Sequence, residues 1–408
     1  MSLLTRQWRT PWVVVVAGCL ISVIGFGVRS SFGLFLEPMT ADQGWSRETF
    51  GLAMALQNLF WGLGLPIAGM LADKWGSSRV IIGGAVAYFA GVYGMALSDS
   101  HALLYLTGGV LCGLGIAFSA FTLAMASMVR VVGPERRSLV LGVGTAAGSL
   151  GQVLFSPIGQ GFINGFGWQQ ALIMMSCFAL ILIPLAWMLP HGVSGSQAQN
   201  EQTLQAALGE ALSHRGYVLL TLGFFVCGFH VAFITVHFPA YVRDIGLDPN
   251  IGAYSLALIG LFNIAGSLLS GMAGQRYSMK LSLSVIYTAR ALVIAALLLL
   301  PKTPLVVLGF AAIMGLLWLS TVPLTTGIVA QVFGTRYMAT LFGIVFLSHQ
   351  IGSFLGVWLG GRLYDSSGSY DSMWVAGIVL GLLAALLHLP INESPVARLS
   401  RLPSEPSP

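Results

Sequence analysis

Charge is what this chain of 408 residues has least of: Asp, Glu, Lys and Arg make up 8% of it, against 56% hydrophobic residues and a mean hydropathy of +0.83. A soluble domain carries about 25% charged residues, so an ordinary water-facing surface is excluded and the chain reads as an integral membrane protein. All fourteen acidic residues, Glu37, Asp73 and Asp365 among them, fall in loops, tails or helix ends, and none is central in an apolar run. That lack disfavours a lipophilic cation as cargo, since such a solute calls for a buried negative charge. Cysteine is scarce too. Cys19, Cys112, Cys177 and Cys227 all sit in apolar runs without metal-ligand spacing, so neither a disulfide nor a metal site is expected. There is no G-x-x-x-x-G-K-[ST] phosphate loop, so ATP is not expected to drive the protein directly. GVGTAAG (Gly142 to Gly148) lies inside an apolar segment with no preceding strand, and its glycines read as packing residues. Enzymatic chemistry and a cofactor are therefore not expected.

What the chain has in abundance is segments of about 20 apolar residues, the length that spans a bilayer as a helix. Twelve begin near positions 12, 49, 79, 101, 138, 168, 217, 251, 281, 304, 338 and 371. The first is followed by Glu-Pro and lacks a small-residue cleavage site, so it reads as a retained helix. With a cytoplasmic start, thirteen of the nineteen Lys and Arg residues fall on the cytoplasmic side, four (Arg47, Arg243, Lys302, Arg362) outside, and two (Arg29, Arg290) within segments. This asymmetry predicts both termini inside, in a cell membrane of the bacterial inner-membrane type. The net charge of +5 is then a basic cytoplasmic face, and no nucleic-acid partner is implied.

The sequence repeats itself. Gly27, Phe32 and Pro38 reappear as Gly228, Phe233 and Pro239, each displaced by 201, as do Gly133 as Gly334 and Gly142, Gly151 and Gly159 as Gly343, Gly352 and Gly360. Gly69 to Trp75 (GMLADKW) matches Gly271 to Tyr277 (GMAGQRY) at 202. One register across regions so far apart predicts an all-α membrane fold of twelve transmembrane helices in two pseudo-symmetric six-helix bundles, with a solute site between them near the bilayer midplane. The expected division is 1–189 for the first bundle, 190–216 for a cytoplasmic linker, 217–391 for the second bundle and 392–408 for a disordered cytoplasmic tail. Within the linker, Leu204, Ala207, Leu208, Ala211 and Leu212 stand at helical spacing, which predicts a short amphipathic surface helix.

The loop Gly69-Met-Leu-Ala-Asp73-Lys74-Trp-Gly76-Ser-Ser-Arg79 resembles the signature loop of the major facilitator superfamily. The resemblance implies a charge relay that stabilises one access state, with Asp73, Lys74 and Arg79 as gating residues; the second copy has Gln275 in place of the aspartate. FGLFLEPMTADQGWSRETF (Phe32 to Phe50), GLGIAF (Gly113 to Phe118) and SPIGQGFINGFGWQQAL (Ser156 to Leu172) are similar to the monocarboxylate transporter branch. Members of that branch carry a lysine in helix 1 that falls at Ser30 here, beside Arg29. They also carry an Asp and Arg pair in helix 8, where Phe262 to Ser270 offers only Asn263. Those departures make Arg29 the candidate carboxylate anchor, with Arg290 as a second possibility.

An ionisable side chain at membrane depth costs about 2.5–3.5 kcal/mol on insertion scales and normally faces a polar cavity or a partner. Arg29 lies in the run Trp12 to Leu36, and His230 occupies the matching place 201 residues later. A guanidinium fork fits a carboxylate in two hydrogen bonds; the bland alternative is an arginine tied to backbone carbonyls or to Glu37. Asn58, Gln152, Asn263 and Trp318 are expected to complete the solute-binding wall with Arg29, His230, His349 and Arg290, the bland alternative for each being interhelical glue. His349, His230 and His237 are the candidate proton carriers, since histidine changes charge near neutral pH. The function these residues predict is proton-linked secondary active transport of a small organic anion, a monocarboxylate foremost, by a monomer in the lipid bilayer. A multidrug or metabolite exporter of the same fold and a nontransporting membrane receptor are the rivals.

Overall fold

The structure, a computed structural model, describes residues 10–132, 136–190, 203–334 and 336–400. All regular structure among them is helical. Eleven helical runs are long and apolar enough to cross a bilayer. One of these, Val140–Met188, turns at Gly167, where φ is +79°, a backbone conformation that glycine adopts without steric cost. Divided there, the chain makes the twelve crossings expected of it. They are α1 (Pro11–Ser30), α2 (Arg47–Trp75), α3 (Ser77–Ala96), α4 (His101–Val131), α5 and α6 (137–166 and 168–188), α7 (Arg215–Asp244), α8 (Pro249–Arg276), α9 (Met279–Leu299), α10 (Pro304–Phe333), α11 (Met338–Ser367) and α12 (Asp371–His388). The protein is an all-α, multi-pass membrane protein of two six-helix bundles.

Helix starts follow local chemistry. Thr10, Ser46, Asp248 and Thr303 each accept a hydrogen bond from the first turn of the helix they precede, and proline opens α1, α8 and α10, where its missing N–H costs nothing. α1 does not run on to Leu36. The hydroxyls of Ser30 and Ser31 bond back to the carbonyls of Gly27 and Val28, and the chain tightens into a 3-10 turn over Phe32–Phe35. α4 and α10 are interrupted at corresponding depths. α4 breaks at Ser119 and Ala120 between arms Cys112–Phe118 and Phe121–Val131, and α10 breaks between Pro304–Leu317 and Thr321–Phe333. At each break a serine hydroxyl, Ser119 or Ser320, bonds to the carbonyl four residues back.

Glycine sets the helix spacing, and it does so twice. A Cβ on Gly151 would stand 2.1 Å from the Val23 carbonyl oxygen, fixing α5 on α1; a Cβ on Gly352 would stand 2.0 Å from that of Phe225, fixing α11 on α7. The internal repeat is therefore a repeat of close backbone contacts. The predicted linker helix is present as Leu204–Ser213, with Ala207 and Ala211 buried and Leu204 and Leu212 exposed; residues 191–202 of the linker lie outside the described residues. The expected disordered tail is corrected for residues 393–400. Glu393 accepts hydrogen bonds from the Lys280 N–H and, through its backbone carbonyl, from Gln331, while the Val396 N–H bonds to Val332, so the segment docks on the second bundle. Residues 401–408 of that tail lie outside the described residues.

The two bundles meet along α2 with α11 and α5 with α8. At the end opposite the chain termini they are in contact, backbone to backbone: Gly361 faces the Arg47 carbonyl and Gly51 that of Val357. Near the middle, Gly62 abuts Gln350 and Gly260 abuts Ser149. Toward the end where α1 begins and α12 stops, the same helix faces continue through Gly69, Gly142, Gly271 and Gly343. A Cβ on any of these four meets no described atom within 4 Å. The bundles thus touch at one end and stand apart at the other.

Forcing a side chain into the α7 and α11 contact tests this spacing. Gly352→Val is expected to destabilise by about 1–3 kcal/mol or more, seen as a lowered midpoint in thermal unfolding of the detergent-solubilised protein. Gly142→Ala, with open space before it, is expected to stay within about 0.5 kcal/mol of the parent.

Candidate functional site

Arg29 stands one residue before the end of α1, and its side chain turns toward α2. Its Nη2 donates to Asn58 Oδ1 at 2.8 Å, and its guanidinium carbon lies 4.5 Å from the centre of the Trp61 ring and 5.8 Å from that of Phe26. Asn58 is held for this role, since its amide donates to the Met54 carbonyl one turn back. Arg29 is in no ion pair among the described residues, and its buried Nε has no hydrogen-bond partner there. Glu37, the alternative partner, is paired instead with Arg243.

The guanidinium lines a cavity of about 20 Å³ together with Trp61, Phe26, Ser119, Ala120 and Phe121. That is space for about one water. Ser119, Ala120 and Phe121 are the break in α4, so the first turn of the arm Phe121–Val131 borders the same space. Helix N-termini carry partial positive charge and free N–H groups. Trp61 also stands edge-on to Phe346 of α11 at 5.4 Å, and Phe346 stacks on His349 at 5.6 Å. A chain of ring contacts therefore runs from Arg29 across the seam to His349. His349 is 7% exposed, and its Nδ1 is 3.1 Å from Gln350 Oε1, the oxygen accepting. The Gln350 side-chain nitrogen has no partner.

Arg29, Asn58 and, through the aromatic pair, His349 come together; the other predicted residues do not. His230 packs into the second bundle, its Nε2 donating to the Gly377 carbonyl of α12 at 2.8 Å, away from Arg29. His237 lies at the closed end, bonded to Tyr370 at 3.0 Å and to the Val357 carbonyl at 2.8 Å. Arg290 is fully buried. Its Nε and Nη2 donate to the Leu317 carbonyl at 3.1 and 2.6 Å, and Nη2 also bonds the Trp318 carbonyl, so it caps the broken end of the first α10 arm rather than facing the seam. Trp318 is buried at that break. Gln152 and Asn263 tie the bundles together: Gln152 donates to the Leu256 carbonyl at 2.9 Å, and Asn263 donates to Ser149 Oγ at 2.9 Å while accepting from the Leu319 N–H at 3.0 Å. In this structure Gln152 and Asn263 make interhelical hydrogen bonds, the bland alternative expected of them. At the gating loop Asp73 is 4.0 Å from Arg130 of α4, not paired with Arg79, and Lys74 lies 5.9 Å from the Trp75 ring.

Sequence reasoning missed Trp61 and Phe346, and it missed a polar latch at the closed end. There Arg47 of α2 makes a two-pronged bond to Asp244 of α7 at 2.6 and 2.7 Å and stacks 3.7 Å over the Tyr364 ring. Asp365 of α11 accepts the backbone N–H groups of Arg47 and Glu48 at 3.0 and 2.7 Å, so one bundle caps the first turn of a helix belonging to the other. Glu48 accepts from the Trp358 indole at 3.0 Å and lies 3.5 Å from Arg362, and Glu37 pairs with Arg243. Burial pushes the Tyr370 hydroxyl well above the usual phenol range, against the pull of Arg47, so it stays protonated. It accepts from Arg47 Nη1 at 3.0 Å and donates to His237 Nδ1. Arg47 and Glu48 lie in the Gly-Trp-Ser-Arg-Glu stretch that carried the family resemblance, which was the available signal.

Residues 18–357 match the family model described as the Major Facilitator Superfamily. The chain is 27% identical over 412 aligned positions to monocarboxylate transporter 13 of Bos taurus, covering 97% of this chain and 93% of that one. It is 27% identical to monocarboxylate transporter 11 of Mus musculus, covering 89% and 83%. Among solved structures it superimposes, with a TM-score of 0.73 at 16% identity and 94% and 96% coverage, on a bacterial homologue of the human lysosomal transporter Spinster.

The latch yields a measurable expectation. Loss of a helix cap costs about 1 kcal/mol, so Asp365→Ala should shift the closed end toward opening by about fivefold. Thiol labelling of Thr49→Cys in a background without the native cysteines would report it, and an unchanged labelling rate would show that Asp365 does not hold the end shut.

Proposed function

From the premise that this chain belongs to the Major Facilitator Superfamily, as the match over 18–357 establishes, we propose that it is a secondary active transporter of a small organic anion, a monocarboxylate foremost, working by alternating access of its two bundles. The observation that carries this reading is the Arg29 guanidinium, within a membrane-spanning run of the first bundle and beside the Trp61 ring that touches Phe346 of the second, held by a neutral amide and an aromatic face and in no ion pair among the described residues. Such a group retains unmatched positive charge, and a charge-assisted bond to a carboxylate is worth about 1.5–3 kcal/mol. The first turn of Phe121–Val131 adds N–H groups and a favourable dipole on the same side. Trp61 supplies a flat face for the organic part of the solute. That the relatives named above are monocarboxylate transporters agrees with this choice.

His349 is the proton carrier of this proposal: it stands across the seam from Arg29, with Gln350 and Cys227 as its side-chain hydrogen-bond partners. His230 and His237 are engaged by backbone carbonyls away from the cavity and are not given that role. Asp73, Lys74 and Arg79 bias the access equilibrium from the open end, which faces the cytoplasm in the bacterial inner membrane, with both termini there. The bundles of 1–189 and 217–391 rock as units, joined by the linker 190–216, and the protein works as a monomer. In the opposite state the latch at Arg47 opens, and the glycine faces at Gly69, Gly142, Gly271 and Gly343 close on one another.

Uptake of labelled lactate, pyruvate or an aromatic acid into proteoliposomes tests the anion assignment. Arg29→Ala is expected to lower uptake about 100-fold while the protein still elutes as a monodisperse species, and Arg29→Lys, which keeps the charge but not the fork, about tenfold. Transport of neutral or cationic compounds alone would refute it. A Gly69→Cys, Gly343→Cys pair tests alternating access. Disulfide cross-linking should rise several-fold when substrate is supplied from the latched side, and a yield indifferent to substrate would contradict the rocking motion.

A further inference from the structure

The two bundles differ in how α3 and α9 are seated, where the repeat says they should match. In the first bundle α3 is seated on α4 by glycine. A Cβ on Gly84 would lie 2.5 Å from the Ser119 nitrogen, one on Gly91 2.7 Å from that of Cys112, and one on Gly115 2.5 Å from that of Tyr88. The displacement of 202 that matches Gly69–Trp75 to Gly271–Tyr277 also holds for contacts: Gly113 faces the Gln57 carbonyl, and Gly315 faces that of Ile259. Applied to the three seating glycines, it gives Ile286, Val293 and Leu317. Three branched side chains thus stand where close approach requires none, and α9 is held off.

The result is a crevice of about 600 Å³ between α8 and α9 with α10 as its floor, lined by Leu269, Ala273, Leu281, Ile286 and Leu317 and opening past Tyr277 and Ser278. Leu269, Leu281 and Val285 on its walls are more than half exposed, so it is open sideways to lipid. The turn at its mouth carries Arg276, the last residue of α8, and Lys280, in the first turn of α9. Neither side chain is in an ion pair among the described residues. The acid nearby, Glu393, accepts from the Lys280 backbone N–H at 2.6 Å and from Ser278 Oγ at 3.3 Å. Its oxygen caps the start of α9 and braces the turn.

We propose that this crevice binds an anionic phospholipid from the leaflet on the terminus side, one acyl chain lying between α8 and α9 and the headgroup phosphate held by Arg276 and Lys280. An apolar slot open to the acyl region, with two cations at its interfacial end, is complementary to that molecule at both ends. The chain would lie against Leu316, Leu317 and Ser320, the break in α10 that Arg290 caps. Occupancy would therefore stabilise the broken helix.

Native mass spectrometry of the full chain in detergent, titrated with phosphatidylglycerol or phosphatidylcholine of equal chain length, tests this. One phosphatidylglycerol is expected to be retained at about 25-fold lower concentration than phosphatidylcholine, from about fivefold for each of the two cations. The exposed double variant Arg276→Gln, Lys280→Gln should lose that preference, at about fivefold per cation, while keeping its elution profile. Ser282→Phe, which fills the slot, should weaken retention of both lipids. Equal retention of the two lipids, an unaltered preference in the double variant, or displacement of phosphatidylglycerol by glycerol phosphate alone would each overturn the assignment.

Discussion

Two guanidinium groups lie within the membrane spans without a carboxylate beside either of them, and the architecture is arranged around that fact. The cost of placing such a charge in hydrocarbon must be met by neutral acceptors. Arg290 meets it with backbone: the break in α10 leaves the carbonyls at the end of Pro304–Leu317 without intrahelical donors, and the guanidinium takes Leu317 and Trp318. It also sits at the negative end of that arm's dipole. Arginine and break therefore meet through Nε and Nη2, while the buried Nη1 has no hydrogen-bond partner among the described residues. Arg29 is met more sparingly, by one amide oxygen and two aromatic faces, beside a cavity. The same residue type caps a helix break in one bundle and borders a cavity in the other.

The internal repeat explains how this division arose. Under the displacement of 202, Arg290 takes the place of Tyr88, whose hydroxyl reaches the Gly25 carbonyl at 3.4 Å. Under the displacement of 201, Arg29 takes the place of His230. Each bundle thus carries its arginine where the other carries a ring. The shared elements are those that fix geometry: glycine at the α1 with α5 and α7 with α11 contacts, and a serine at each helix break. The differing elements are those that carry charge, which is what a site between two unlike faces requires.

Much of the architecture was legible because it rests on features a sequence displays directly: apolar length and glycine register. Arg29 and Asn58 were legible as polar residues in apolar runs. Trp61 and Phe346 were not, because an aromatic in a hydrophobic helix carries no mark of which face it occupies. The same ambiguity covers His230 and Arg290, whose side chains turn onto Gly377 and Leu317 of the second bundle. Gln152 and Asn263 proved to be interhelical ties, as intramembrane amides often are. The latch was hidden for another reason. Arg47 and Asp244 are 197 residues apart, and Glu48 and Asp365 are 317 apart, and separately each reads as an ordinary charge at a helix end.

The placement of the latch also bears on how the proposed alternating access would be met energetically. Its groups lie at the end where the bundles touch, where Arg47 and Asp244 side chains are 12% and 26% exposed and the Glu48 and Arg362 side chains 36% and 58%. The exposed Glu48 and Arg362 pair contributes at most about 1 kcal/mol, because water replaces the lost partner on separation. A seam closed by buried apolar packing would instead forfeit about 25 cal/mol for every Å² exposed, and a buried ion pair broken in hydrocarbon would cost more still. Populating both states needs a difference of only a few kcal/mol, within reach of a ligand that favours one of them. Partly hydrated charges at the closed end, with glycine faces that leave little apolar surface to expose at the other, keep that difference small. The strong, dry contacts through Gly151, Gly228 and Gly352 lie inside the bundles, where they resist deformation and leave the seam as the plane along which the molecule can yield.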